Sequence, residues 1–266
     1  MKRIFSYLML LCVAFSFAND KLNIVCTTTD LSSIVLAIGK DRVTFHTIIP
    51  YGMCPGHTDI SPREISQVKN ADLVLANGFE SFLSDIILSK EINIFKIGTK
   101  ENLMIPANHI RAAGELTNIL IDKKPDSKIF FLKNCYDYIY EINRREKEIL
   151  EKVTEMRNKD VICASMNKDF IEYLGAIVIA VFPRDEDISL KNLNDIITSA
   201  RRNHPVLVID NLQSSGKVGE SIAKELNLPL VILSNFPEKD DYLSTLQNNC
   251  NKIITAFHEY SYEFHH

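Results

Sequence analysis

Between Ser127 and about Asn158, the residues Leu132, Cys135, Ile139, Ile142, Ile149, Val153 and Met156 recur at intervals of three, four or seven, with charged residues between them. That spacing describes a single amphipathic helix. At a rise of about 1.5 Å per residue it would run for roughly 45 Å, long enough to cross one whole domain and reach another. On both sides of it the pattern changes to short apolar runs separated by helical stretches. A solvated coiled-coil arm would not be flanked in that way, so the helix is read as a connector that packs on both of its neighbours.

The runs before the connector are Leu22 to Cys26, Val43 to Ile49, Ala71 to Leu75 and Ile92 to Ile97, with helical patterns at Leu31 to Ile38, after Ser61-Pro62-Arg63-Glu64, and at Phe79 to Leu88. A further helix carries Ile110, Ala113 and Leu116, with Asn108 as its expected cap. After the connector come Val161 to Ala164, Ile177 to Val181, Pro205 to Ile209 and Pro229 to Leu233, with helices at Lys168 to Leu174, Leu190 to Arg202 and Val218 to Leu226. Near-continuous apolar strands alternating with helices mark parallel sheets covered on both faces. The expected fold is therefore α/β, two Rossmann-like lobes with mainly parallel sheets joined by one long backbone helix. The expected division is 19–126 for the first lobe, 127–159 for the connector and 160–266 for the second lobe with a C-terminal tail. Ligands in such sheets bind outside the carboxyl ends of the strands, which here means the cleft between lobes.

The first residues read as an export signal. Met1-Lys2-Arg3 is a short cationic start, Ile4 to Phe17 is largely apolar, and Ser16 and Ala18 supply the small residues of a cleavage site, so residues 1–18 are expected to be removed after Ala18. Loss of Lys2 and Arg3 takes the formal charge from −4 to −6 and leaves 248 residues. The acidic balance and the lack of a basic stripe argue against nucleic acid as a partner. Cys26, Cys54, Cys135, Cys163 and Cys250 remain, an odd number for an exported protein, so at least one thiol is unpaired. Whether Cys26 and Cys163 pair across the cleft stays open from sequence.

One loop, residues 50–59, stands out chemically and is the organising loop of the chain. Pro50-Tyr51-Gly52-Met53-Cys54-Pro55-Gly56-His57-Thr58-Asp59 brings a thioether, a thiol, an imidazole and a carboxylate into one short segment at a strand's carboxyl end, and its glycines and prolines forbid regular structure. Met53, Cys54, His57 and Asp59 are each able to ligate a metal; packing roles for Cys54 and Met53, and a turn-carbonyl partner for His57, are the plain alternatives. The other strand ends add Glu80, Met104, Met166, Asn211, Gln213 and Asn235 as cleft candidates. His109, just inside a helix near the cleft, is either a second imidazole ligand or a helix-surface residue beside Arg111. His46 and His204 read as surface residues, His258, His265 and His266 as part of a tail, and Tyr136, Tyr138 and Tyr140 as connector residues packing on neighbours.

Thr27-Thr28-Thr29-Asp30, Ser61-Pro62-Arg63-Glu64-Ile65, Asn70-Ala71-Asp72-Leu73-Val74 and Asn77-Gly78-Phe79-Glu80 together give the chain a resemblance, over about residues 22–257, to the solute-binding proteins of zinc and manganese ABC importers. The resemblance implies a periplasmic protein that captures a transition-metal ion between its lobes and delivers it to a membrane permease and its ATPase. Members carry a ligand histidine directly after a proline in the organising loop, whereas this chain has Gly56 there and His57 one residue later. Other ligand columns fall on Glu101 or Asn102, on Ala164 and Ser165, and on Ser234 or Asn235. The usual three-histidine-plus-carboxylate set is therefore absent, and the chain resembles a divergent branch with a Met-Cys-Pro-Gly-His loop.

A set built on Cys54, His57, Met104 and Met166 is soft, and favours zinc or copper(I) over manganese. Zinc is the first expectation. The runner-up is a chelated metal or small organic solute held by the amides of Asn211, Gln213 and Asn235. A cleft enzyme using thiol and imidazole is the third reading, disfavoured because no orienting carboxylate beyond Asp59, nucleophile elbow or phosphate loop is evident. The expectation is a monomer that binds without turnover.

Overall fold

The computed structural model describes residues 21–84, 92–99, 101–214 and 216–265. The expected signal segment, residues 1–18 with cleavage after Ala18, lies outside the described residues, as do residues 85–88 of the helix expected from Phe79 to Leu88; Phe79 and Glu80 themselves are not helical. Two four-stranded sheets form, each entirely parallel among its described pairs.

The first sheet contains β1 (Leu22–Cys26), β2 (Val43–Thr47), β3 (Leu73–Ala76) and β4 (Ile94–Lys96) in the spatial order β2-β1-β3-β4. Its helices are α1 (Thr29–Gly39), α2 (Pro62–Lys69) and α3 (Pro106–Lys123). The second sheet has β5 (Asp160–Ala164), β6 (Ile177–Phe182), β7 (Leu207–Asn211) and β8 (Leu230–Leu233) in the order β6-β5-β7-β8. Its helices are α5 (Lys168–Tyr173), α6 (Leu190–Asn203), α7 (Lys217–Leu226) and α8 (Tyr242–His265). Between the sheets runs α4 (Lys128–Lys152), which continues into a 3-10 turn at Val153–Met156. None of the described helices is long and apolar enough to cross a membrane.

The sequence dictates these elements locally. Ser61 caps α2 with a full capping box, its hydroxyl accepting from the Glu64 N–H while the Glu64 carboxylate accepts from the Ser61 N–H, and Pro62 takes the first turn where no N–H is needed. A cap of this kind is worth about 1 kcal/mol. Asn108, by contrast, is not a cap: Pro106 starts α3, Ile105 precedes it, and Asn108 lies in the first turn with its amide donating to Asn102 O at 3.0 Å.

Each sheet is covered on two faces, which is why its strands read as unbroken apolar runs. In the first lobe Ile24, Cys26, Leu73 and Leu75 pack on one face with α1, α3 and Phe131, while Val25, Val74 and Ala76 pack on the other with Val68 and Phe82. The second lobe repeats this, with Val161, Cys163, Leu207 and Ile209 on one face and Ile162, Ala164 and Val208 on the other.

The connector is shorter than its apolar spacing suggested, 25 residues, or about 37 Å, and its buried stripe is shifted. Phe131, Cys135, Ile142 and Ile149 are buried whereas Leu132 is exposed. The sequence offers Ile129, Phe130, Phe131 and Leu132 in succession, so periodicity alone could not fix the phase; packing in both lobes does. Phe131 and Cys135 enter the first lobe's core, and Ile142, Ile149 and Val153 enter the second's. Of the three connector tyrosines only Tyr138 packs inward; Tyr136 and Tyr140 are exposed. The expected tail is instead the end of α8, where His258 Nε2 lies 3.2 Å from Glu155.

Candidate functional site: the cleft between the lobes

The segments that follow the strands of one sheet meet those that follow the strands of the other. Asn102, after β4, donates to Met166 O at 3.3 Å, after β5. Phe79, after β3, lies 6.4 Å between ring centroids from Phe236, after β8. Ser32 in α1 donates to Asp240, just ahead of α8. These contacts enclose a cavity of about 230 Å³ lined by Asp30, Phe79, Glu101, Asn102, Leu103, Ser165, Met166, Asp169, Asn235 and Phe236.

The organising loop lies on another side of the same gap, where the two edge strands β2 and β6 end. Cys54 Sγ is 3.4 Å from His57 Nδ1, and Thr58 pins the turn by donating to Cys54 O at 2.7 Å. From the other lobe Arg184 donates to His57 Nδ1 at 3.1 Å, and Glu186 Oε1 lies 3.5 Å from His57 Nε2. Since a guanidinium only donates, Nδ1 must be the unprotonated nitrogen, and the ring proton sits on Nε2 facing the carboxylate. The Glu186 carboxylate opposite Nε2 favours that tautomer. Arg184 and Glu186 were not among the candidates read from sequence; the only hint was the charged run Arg184-Asp185-Glu186-Asp187 after an apolar strand.

The remaining candidates divide clearly. Met166 and Asn235 line the cavity, with the Asn235 amide donating to Met166 O at 3.2 Å. Met53 and Asp59 are exposed on the organising loop. Met104 is not at the cleft: it is buried with Ile142, Ile149 and Val153 in the second lobe's core. Glu80 is buried and fully engaged, accepting from the Thr27 hydroxyl, from Asn77 N at 2.8 Å and from Gly78 N at 2.7 Å. Asn211 accepts from Gln213 N, and Gln213 in turn bonds Ser234 Oγ and Asn235 N, so those two amides hold the loops together rather than face a solute.

His109 is neither a ligand nor a surface residue. It is fully buried, stacked on Tyr242 at 3.7 Å between centroids, with Nδ1 donating to Leu103 O at 3.1 Å and Nε2 accepting from the Tyr138 hydroxyl at 2.8 Å. Burial holds its pKa down to about 3.

The described cysteines are all free. Cys26 and Cys163 belong to the cores of different lobes and do not pair. Burial pushes the thiols of Cys163 and Cys250 up to about 12 and that of Cys26 well above the ordinary range, so these sulfurs stay protonated. Among the described cysteines Cys54 alone is only partly buried. Among the described residues no group of three or more His, Cys, Asp and Glu side chains is gathered in metal-binding geometry. Cys54 and His57 are two side chains able to ligate a metal that lie within reach of each other.

Comparison with known proteins places this geometry. Residues 24–256 match the family described as "Zinc-uptake complex component A periplasmic". An uncharacterized protein of Rickettsia prowazekii (strain Madrid E) is 28% identical over 214 residues, covering 75% of this chain and 70% of that protein. The manganese ABC transporter substrate-binding lipoprotein scaA of Streptococcus gordonii is 21% identical, with 89% of each chain covered. The fold of the Mn-bound periplasmic metal binding protein from Candidatus Liberibacter asiaticus superposes with a TM-score of 0.78 at 16% identity, over 89% of this chain and 100% of the other.

Proposed function

The chain belongs to the family of periplasmic zinc-uptake complex component A, and from that premise we infer that it captures zinc in the gap between its lobes. As the substrate-binding component of a metal ABC importer, it binds and hands over its cargo without turning it over. The reading includes export to the periplasm, work as a monomer, and delivery to a permease served by an ATPase.

The observation that carries the zinc reading is the Cys54–His57 pair. A tetrahedral zinc ion with Zn–S near 2.3 Å and Zn–N near 2.0 Å holds its sulfur and nitrogen about 3.5 Å apart, and Sγ and Nδ1 here are separated by 3.4 Å. Thiolate with imidazole suits zinc or copper(I), whereas manganese prefers oxygen donors. Met166, half-exposed in the cavity, is the thioether candidate for a third donor. Arg184 occupies the same lone pair of Nδ1 that zinc needs, so the guanidinium must swing aside as the ion enters.

Competition titration of metal-free protein with zinc chloride and a chromophoric chelator tests this. The double variant Cys54→Ser, His57→Ala is expected to lose at least about tenfold in affinity, roughly 1.4 kcal/mol, while Arg184→Ala tightens binding by removing the competing cation. Zinc affinity unchanged in the double variant would exclude the pair as the capture site. The amide-based alternative is not favoured, because Asn211 and Gln213 are committed to bonds within the second lobe.

A further inference from the structure

Asp30 opens α1 directly after β1, is 3% exposed, and lines the cleft cavity. Its Oδ1 accepts from Leu31 N at 2.9 Å and contacts the Thr28 hydroxyl, its Oδ2 lies 3.3 Å from the Asn77 amide, and the Thr28 hydroxyl is also 2.6 Å from Asn77 Oδ1.

The protons in this cluster do not suffice if Asp30 is ionised. Thr28 has one hydroxyl hydrogen and faces two acceptor oxygens, Asp30 Oδ1 and Asn77 Oδ1. Turning the Asn77 amide over satisfies Thr28 but sets an amide oxygen against Asp30 Oδ2. Either orientation leaves one oxygen pair without a hydrogen between them, and a proton on Asp30 repairs both. With the amide as it stands, Asp30 donates to Thr28 and Thr28 donates to Asn77.

The surroundings agree. Glu80 faces Asp30 from the segment after β3, Asp240 contacts α1 through Ser32, and Glu101 and Asp169 share the cavity, Glu101 being paired with Arg111 at 2.7 Å. Cys26, the other titratable group close by, is a neutral thiol. No basic residue lines the cavity among the described residues. Burial, with a smaller contribution from Glu80, raises Asp30 to about 6. Thr29, in the same turn, has a buried hydroxyl with no hydrogen-bond partner, one more oxygen not committed elsewhere.

We propose that Asp30 holds a proton at the floor of the closed cleft and surrenders it when a divalent cation enters, which couples capture to proton release. The proposal rests on the metal-capture reading above. The cation enters the cavity that Asp30 shares with Met166; the Asp30 O–H bond breaks, its electron pair stays on the carboxylate, and the proton leaves to water through the cleft mouth. Affinity then weakens as pH falls below about 6, since the cation must compete with the proton.

Titrating metal-free protein with zinc chloride at pH 6 in two buffers of different ionisation enthalpy counts the protons released per ion. Wild type is expected to release roughly half a proton more than Asp30→Asn at this pH, and the difference is expected to vanish at pH 8. Infrared difference spectra of wild type at pH 5 provide a readout that needs no variant: the carbonyl band of a protonated carboxylic acid should disappear on adding zinc. Equal proton release from two proteins that both bind zinc, with no loss of that band, overturns this proposal alone. A wild type that binds no zinc overturns it together with the metal reading.

Discussion

Replacing His109 by alanine is expected to lower the unfolding free energy by about 3–5 kcal/mol, the cost of a buried cavity plus polar groups stripped of their partners. The residue joins three elements that belong to different parts of the molecule. It comes from α3 in the first lobe, accepts from Tyr138 on the connector, and stacks on Tyr242 at the start of α8 in the second lobe. Tyr242 completes the tie by donating to Met104 O at 3.1 Å. Without the imidazole, Leu103 O and the Tyr138 hydroxyl lose their partners inside a dry contact, and Tyr242 loses its stacking surface. In a chain of this size the loss corresponds to a fall in melting temperature of roughly 6–20 °C, measurable by calorimetry. A change under about 1 kcal/mol in His109→Ala would show that the brace does not hold the lobes.

The same residue sets a direction for acid sensitivity. The folded state keeps His109 unprotonated down to about 3, while its ordinary value is 6.5, so the unfolded chain takes up the proton first. The stability this group contributes is complete above pH 6.5 and is lost as pH falls from there toward 3. Asp30 acts oppositely, because its folded value is raised from 3.8 to about 6: its contribution is complete below 3.8 and declines as pH rises through 6. Urea denaturation at pH 7.5 and pH 4.5 separates the two. The penalty of His109→Ala should be about 3 kcal/mol smaller at the lower pH, since the variant has no imidazole for the unfolded chain to protonate.

Gly219→Ala is the second substitution with a large expected effect, a loss of about 2–4 kcal/mol. A Cβ at this position would stand 2.3 Å from Asp210 Oδ2 and 2.9 Å from Asp210 Cβ. Asp210, next to last in β7, is 1% exposed and turns its carboxylate onto the first turn of α7, accepting from Asn211 N at 2.6 Å and Gly219 N at 3.2 Å. The added methyl must push the carboxylate off one or both N–H groups, leaving a buried charge with fewer donors. Because every close contact is with the Asp210 side chain, Gly219→Ala should cost markedly less in an Asp210→Gly background, which removes them all. Equal costs in the two backgrounds, measured as a double-mutant cycle by denaturant unfolding, would show that Asp210 is not the obstacle.

Sequence patterns determined which elements form and how they alternate. The runs at Leu22, Val161 and Leu207 are apolar without interruption because α/β strands are covered twice, and that signal survives without knowledge of what covers them. The capping box at Ser61 is equally local, written in four consecutive residues. Strand-following loops could be named as the cleft for the same reason: their position depends on topology, and parallel topology was legible. The closeness of Cys54 and His57 was legible because both lie on one turn.

Tertiary packing alone decided which residues of those loops face the gap. Met104 and Asn102 are two positions apart in one irregular segment, yet one enters the second lobe's core and the other lines the cavity. His109 looks like a helix-surface residue until Tyr242, 133 positions later, covers it. Arg184 and Glu186 meet His57 from the opposite lobe, a juxtaposition with no trace in local sequence. Periodicity and capping are set by neighbours a few bonds away and so are written along the chain. The burial of His109 and the tautomer of His57 depend on groups brought together only when the two lobes meet.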